Sequence, residues 1–374
     1  MISPKFFIDT LSANGIDFFT GVPDSLLKDI CAYMADNIDP HRYVITANEG
    51  GAVGLAAGYH LATKRVGMVF MQNSGEGNAV NPLASLTDKE VYRIPVLLLI
   101  GWRGEPGVHD EPQHVKQGQI TLPLLDVMGI RHAVLSKDED EVAAQLQEAV
   151  QSMKETGEPY ALVVQKGTFE QYALKNTKDS GLNLSREKAI QKVADALGPR
   201  DVIVSTTGMI SRELFEYRAA QGRGHEQDFL TVGSMGHASQ IALGIALAQP
   251  DRRVWCFDGD GAAIMHMGGM PIIGAQHPTN LVHVLFNNGA HDSVGGQPTV
   301  GLDISFTRLA EEFGYASVHC VASESQLAEA LKKLPQSGPC FLEIQVKKGN
   351  RKDLGRPTTT PQENKEAFMD FLSK

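Results

Sequence analysis

The sequence predicts an α/β protein built of two doubly wound parallel-sheet domains, and three observations carry that reading. Apolar runs of strand length recur along the chain, amphipathic helical patterns separate them, and the same rhythm fills both halves. Strands that read apolar throughout are buried on both faces, which is the condition of a parallel sheet covered by helices. At 374 residues the chain exceeds one ordinary core and suits two.

In the first half, strands are expected at residues 16–20, 43–47, 67–71, 95–100, 132–135 and 160–165, with helices at 25–37, 50–62 and 139–153. An opening helix is framed by Ser3 as its cap, Pro4 in its first turn and Gly15 as its stop. The second half gives strands at 202–205, 229–231, 254–257, 281–286, 317–320 and 341–346, and helices at 186–197 and 237–248. A polar stretch between them reads as a linker. The expected division is therefore 1–168, a linker at 169–184, and 185–374. The duplication is one of architecture, with no repeat at the level of residues.

Composition excludes several functions. Hydrophobic residues make up 42% and charged residues 21%, the balance of a soluble globular protein. The strongest apolar run, 94–102, is far short of the ~20 residues needed to span a bilayer. The first residues show no charged leader followed by an apolar stretch, so a cytoplasmic location is expected, with no membrane partner. Cys31, Cys256, Cys320 and Cys340 are scattered and form no CxxC pair, which predicts buried free thiols. A net charge of −10 argues against nucleic acid as a partner. It also requires that an anionic substrate be met by cations gathered locally.

The chemistry is written most plainly at Asp258-Gly259-Asp260-Gly261-Ala262-Ala263, which ends an apolar strand. Asn287-Asn288-Gly289-Ala290 ends the next, with 25 residues between Gly261 and Asn287. Parallel strand ends face one crevice, where open α/β sheets bind ligands. An Asp and an Asn there supply the hard oxygens that Mg2+ prefers, and the glycines let backbone N–H groups approach a phosphate. A calcium loop is a poor alternative, because Ala262 and Ala263 stand where further oxygen ligands should follow. A dinucleotide site is poor too, since the first strand–helix turn has no Gly-x-Gly-x-x-Gly.

On these residues the sequence resembles the thiamine diphosphate enzyme family, whose signature is Gly-Asp-Gly followed at about this interval by Asn-Asn. The resemblance implies thiamine diphosphate and Mg2+ as cofactors, the metal held by the Asp260 carboxylate, the Asn288 side chain and the Ala290 carbonyl. Gly259, Gly261 and Ala262 would meet the diphosphate, and Ala262 replaces the Ser that many members carry. Thr207 and Gly208, at another strand end, are candidates for further phosphate contacts. In Gly233-Ser234-Met235 the methionine would wedge beneath the cofactor, and the Gly233 carbonyl would accept from its pyrimidine amine. Glu49 opens a Gly/Ala-rich helix, as the family's catalytic glutamate does, and its acidic side chain suits a helix N-terminus. The two halves then correspond to a pyrimidine-binding and a diphosphate-binding domain, with no middle domain. The family's arrangement also implies a homodimer or larger homo-oligomer, in which Glu49 of one subunit serves cofactor held by its neighbour's Asp260.

Further segments narrow the resemblance: Gly21-Val22-Pro23-Asp24-Ser25, Asn73-Ser74-Gly75-Glu76-Gly77-Asn78, residues 101–114, and Arg351-Lys352-Asp353-Leu354-Gly355-Arg356. Together they are similar to the phosphonopyruvate and sulfopyruvate decarboxylases. The fused chain favours the phosphonate side, since the sulfopyruvate enzymes are commonly split in two. The reaction so implied releases CO2 from a small anionic 2-oxo acid, giving phosphonoacetaldehyde in phosphonate biosynthesis. Arg103, Arg351 and Arg356, with Ser25 and Gln113, are the expected substrate-binding residues, because guanidinium pairs bidentately with phosphonate oxygens. His114 is the expected proton donor or oxyanion stabiliser, with Asp24, Asp110 and Glu111 assisting proton transfer.

Overall fold

Each half of the chain builds one six-stranded sheet in which every paired strand is parallel. The computed structural model describes residues 1–176 and 179–374 and divides into the units Met1–Thr177 and Lys178–Lys374. In the first unit the strands are β1 (Phe19–Gly21), β2 (Tyr43–Ile45), β3 (Gly67–Gln72), β4 (Val96–Gly101), β5 (Arg131–Val134) and β6 (Tyr160–Val164). Their order is β2-β1-β3-β4-β6-β5.

The central strand β4 explains why the first unit has two cores. Side chains alternate across a sheet, so Leu97 and Leu99 point to one face and Val96, Leu98 and Ile100 to the other. The first pair packs with Phe7, Leu11 and Leu146. The second set packs with Ala52, Val53 and Ala56 from the helix Glu49–Thr63. All six β4 residues are buried, which is why the strand reads as a continuous apolar run.

The second unit repeats the plan with β7 (Val202–Ser205), β8 (Asp228–Leu230), β9 (Val254–Gly259), β10 (Leu281–Asn287), a short antiparallel ribbon β11 (Ala290–His291) and β12 (Gln297–Pro298), then β13 (Ser317–Val321) and β14 (Cys340–Gln345). The main sheet runs β13-β14-β10-β9-β7-β8. In β10, Val282, Val284 and Phe286 enter one core while Leu281 and Leu285 enter the other. Between them His283 is fully buried, yet satisfied by the Tyr315 hydroxyl at 3.0 Å and Asp258 at 3.4 Å.

Several expectations shift by a residue or more. The strand expected at 16–20 begins only at Phe19, and the helix expected at 25–37 begins at Lys28. The delay has a cause: the Asp24 carboxylate accepts from Leu26 N–H at 2.9 Å and holds residues 24–27 in a turn. Ser3 occupies the cap position of Pro4–Ala13, but its side chain makes no capping bond. Gly15 does sit just past that helix at φ +85°, the left-handed conformation that suits glycine. The helix Pro112–Val127 and the β11–β12 ribbon were not anticipated. Cys31, Cys256 and Cys340 are buried as expected, whereas Cys320 is exposed. Among the described residues, no helix is long and apolar enough to cross a membrane.

Within the expected linker, the backbone N–H groups of Tyr172, Lys175 and Asn176 donate to Asp29 and Asp36, so these residues lie on the first unit. Leu184 is already part of a second-unit core. Thr177 and Lys178 lie outside the described residues.

A buried ion pair and a buried carboxyl group give the fold measurable signatures. Arg218 and Asp228 pair bidentately, both bonds 2.9 Å, with side chains 2% and 0% exposed. Removing one partner strands the other, so Arg218→Leu should destabilise the second unit by about 3–5 kcal/mol in denaturant melts. The buried carboxyl group is Glu76, 2% exposed, with neither oxygen hydrogen-bonded among the described residues. Burial, offset in part by the nearby Thr121 hydroxyl, pushes it up to about 8. The native state therefore keeps this proton longer than the unfolded chain does. Stability should be full below about pH 4.5, decline as pH rises through about 8, and level off above, the total loss being at most about 5 kcal/mol. Glu76→Gln should abolish that slope in melts taken across the range.

Candidate functional site

The carboxyl ends of β1 to β4 carry the expected residues of the first unit. Glu49 follows β2 and opens the helix Glu49–Thr63, where Asn48 caps by accepting from Gly51 N–H at 2.8 Å. Its carboxyl group is 5% exposed and accepts from Asn78 Nδ2 at 2.7 Å. Burial raises its pKa, and the Asn78 bond only partly offsets the rise. Gly75 is required there, since a Cβ at that position would overlap the Glu49 carboxylate. Asn78 and Gly75 were not singled out from sequence, although both lie in the segment that carried the resemblance.

A second cluster forms around Arg103, just beyond β4. Its guanidinium grips Asp110 through Nε at 2.7 Å and through Nη2, and reaches the Ser25 hydroxyl through Nη1 at 2.7 Å. Asp24 lies beside them, fully buried, with Ser25 Oγ 3.4 Å away. Gly101 gives it room, because a Cβ there would meet the Asp24 carboxylate. Asn73 ties this cluster toward Glu49: it donates to the Arg103 carbonyl at 2.8 Å and to Thr121 at 2.9 Å, two residues before Gly75. His114, 9% exposed, lies in the first turn of Pro112–Val127, whose backbone packs so closely on the next loop that Gly104 has no room for a Cβ. Gln113 precedes it, half-buried.

The two aspartates were expected to share one task, and the structure separates them. Burial would raise Asp110, but the Arg103 guanidinium and the N–H groups of Glu111 and Gly104 hold its carboxyl well below the usual range. These bonds favour its ionised form and let it orient Arg103. Asp24 goes the other way: burial raises it, and the Leu26 N–H and Arg103 only partly compensate.

In the second unit the cleft at the ends of β7, β9 and β10 is lined by Thr207, Met235, Gly259, Asp260, Gly261, Ala262, Asn288 and Ala290, together with Arg186, His291 and Asp292. Gly208 adopts φ +97° ahead of the helix Met209–Ala220, and Ser234 adopts φ +51°, which strains a non-glycine residue. Thr207 Oγ1 donates to the Val232 carbonyl at 2.8 Å, fastening this turn to the loop that carries Gly233, Ser234 and Met235. Asp260 is 2% exposed; burial pushes it up to about 6 despite the hydroxyl donated by Thr299. Gly301 lies so near that a Cβ there would meet Asp260 and Asn287. Asn287 is turned away from the cleft, donating to the Gly301 carbonyl at 2.7 Å and Glu343 at 2.8 Å.

The donor set fits the cofactors that the resemblance implies. Asp260, Asn288 and Ala290 line one cleft, and a carboxylate, an amide side chain and a backbone carbonyl are the hard oxygens that Mg2+ takes with phosphate. Gly261 faces His291 so closely that any side chain would clash, which leaves its backbone as the surface of a cradle. Burial lowers His291 to about 4, so its imidazole is neutral and adds no competing cation.

The structure places the Arg351 guanidinium against Glu187 at 3.0 Å, Asp353 at 3.2 Å and Glu216. Arg356 is exposed on the same C-terminal stretch.

Residues 4–128 match the thiamine pyrophosphate enzyme N-terminal TPP binding domain, and residues 206–344 match the C-terminal TPP binding domain of the same enzymes. The whole chain is 34% identical to a phosphonopyruvate decarboxylase of Streptomyces viridochromogenes, across 96% of that protein. It is 32% identical to a phosphonopyruvate decarboxylase of Streptomyces hygroscopicus, again over the whole chain and across 95% of that protein. A sulfopyruvate decarboxylase of Methanosarcina acetivorans is 26% identical over 98% of this chain and 96% of its own. The chain belongs to the phosphonopyruvate and sulfopyruvate decarboxylase family of thiamine diphosphate-dependent enzymes, and its reaction is the decarboxylation of a 2-oxo acid.

Proposed function

We propose that this enzyme decarboxylates 3-phosphonopyruvate to phosphonoacetaldehyde and CO2, using thiamine diphosphate and Mg2+. The observation that carries the reading is likeness along the full chain, at 34% and 32%, to two phosphonopyruvate decarboxylases, against 26% for the sulfopyruvate enzyme. The guanidinium of Arg103 supports it, as a half-buried cation at the sheet's carboxyl edge in a protein of net charge −10.

The residues then take these roles. Asp260, Asn288 and the Ala290 carbonyl hold Mg2+. The backbone at Gly208, Gly259, Gly261 and Ala262, with Thr207, receives the diphosphate. Gly233, Ser234 and Met235 support the thiazolium and pyrimidine rings. Glu49 hydrogen-bonds the aminopyrimidine, and a buried carboxyl with a raised pKa suits a group that must hold a proton there. Thiamine diphosphate, when bound, supplies the electron sink that lets the carboxylate leave as CO2.

Arg103, set by Asp110 and Ser25, draws the anionic tail of the substrate, with Gln113 beside it. His114 donates a proton or steadies developing negative charge on the substrate oxygen, and Asp24 serves as a proton reserve. The active assembly is a homodimer or larger homo-oligomer, which the molar mass in solution tests.

CO2 release should be measured from phosphonopyruvate, sulfopyruvate and pyruvate, with thiamine diphosphate and Mg2+ supplied or withheld. Release that needs both cofactors and favours phosphonopyruvate is the expected result, and Glu49→Gln should lower kcat by at least about 10²-fold. A preference for another acid would keep the cofactor chemistry and discard this substrate. Release that persists without cofactor would end the proposal.

A further inference from the structure

We propose that Asp292, backed by Arg186 and Glu213, is a positioning residue of the metal centre, fixing the Asn288 amide so that its oxygen faces the cation. The inference rests on the reading of Asp260, Asn288 and Ala290 as metal ligands.

An asparagine side chain has one end that can ligate Mg2+ and one that cannot, and the two ends are nearly the same size. Packing alone does not choose between them, so a metal site that uses Asn needs neighbours that do. Two bonds make the choice here. Ala290 N–H donates to Asn288 Oδ1 at 3.0 Å, and Asn288 Nδ2 donates to Asp292 Oδ2 at 2.7 Å. A flipped amide would set its NH2 against the Ala290 N–H and its oxygen against a carboxylate. Both contacts would become repulsive.

Asp292 can perform this task because it is itself held. The same oxygen accepts from Arg186 Nη1 at 2.8 Å and from Gly349 N–H at 3.0 Å. Three donors converge on this one carboxylate oxygen, which fixes it as the acceptor that faces Asn288 Nδ2. Arg186, 5% exposed, is fixed from behind by Glu213 through Nε at 2.8 Å and Nη2 at 3.0 Å. Arg186 and Asp292 both line the cleft with Asp260 and Asn288. Arg186 is held between Glu213 and Asp292, so its guanidinium is committed to fixing the carboxylate behind Asn288. Groups of this kind behind metal ligands govern affinity.

Mn2+ standing in for Mg2+ gives a direct readout, its binding measured by electron paramagnetic resonance with thiamine diphosphate present. Asp292→Asn should weaken Mn2+ by about 10–100-fold. The loss should all but vanish in an Asn288→Asp background, because a carboxylate at 288 offers oxygen at either end and needs no polarity set for it. A merely structural role would weaken both backgrounds alike, and that result overturns the proposal, as does wild-type affinity in Asp292→Asn. Should Asp292→Asn melt early without metal, Asp292→Glu replaces it. It keeps the charge and must then hold Mn2+ more tightly than Asp292→Ala; equal loss in the two overturns the proposal. If the wild-type chain binds no Mn2+ at all, the ligand reading fails first, which separates the two failures.

Discussion

The pairing of β9 with β10 is the constraint on which the second unit depends. Because the strands are parallel and in register from Leu281↔Val254 to Phe286↔Gly259, their carboxyl ends stop side by side. Asp260 and Asn288 each follow directly on those ends, so a spacing in sequence becomes a proximity in space. A slip of one residue would turn every side chain of β10 to the opposite face. It would bury Leu285 where Phe286 belongs and carry Asn288 off the cleft. The apolar alternation of β10 between its two cores is thus what holds the polar site in place.

The same logic builds the first unit, with a different means of control. There, close backbone approach rather than strand register sets the critical distances. Gly75 admits the Glu49 carboxyl, Gly101 admits Asp24, and Gly104 admits the start of Pro112–Val127. At Gly75 and Gly101 a methyl group would displace a candidate functional side chain, and at Gly104 it would displace the backbone that carries His114. Asn73 links the two clusters by bonding the Arg103 backbone from a position two residues before Gly75.

Most of the architecture could be read in the sequence because it rests on a strong periodic signal. Buried parallel strands such as β4 and β10 are apolar throughout, and their bounds came within a residue or two. The errors fall where a polar side chain overrides the local pattern, as Asp24 does at the delayed start of Lys28–Asn37. The candidate site was legible where its proposed ligands follow strand ends, as with Asp260 and Asn288. It was not legible where residues act through others. Asp292, Thr299, Asn78 and Arg186 have no signature, because their meaning depends on partners 4, 39, 29 and 106 positions away. The three carboxylate neighbours of Arg351 were equally illegible, since Glu187 and Glu216 lie far from it in sequence.

The divergence of Asp24 and Asp110 carries the mechanistic argument furthest. Two carboxylates stand around one guanidinium, and their environments push them in opposite directions. Where titratable pairs are driven apart in this way, the acid and base assignments can be read from their surroundings. Asp110 is bonded by Arg103 and two backbone N–H groups, and together these outweigh its burial and favour the charged form. Asp24, fully buried and 3.4 Å from the Ser25 hydroxyl, is the member of the pair that gains proton affinity. A substrate anion drawn to Arg103 would add negative charge beside Asp24 and raise that affinity further. On the proposed role of Arg103, binding and proton uptake are then coupled through one arginine, whose charge would both draw the substrate and set where the proton rests.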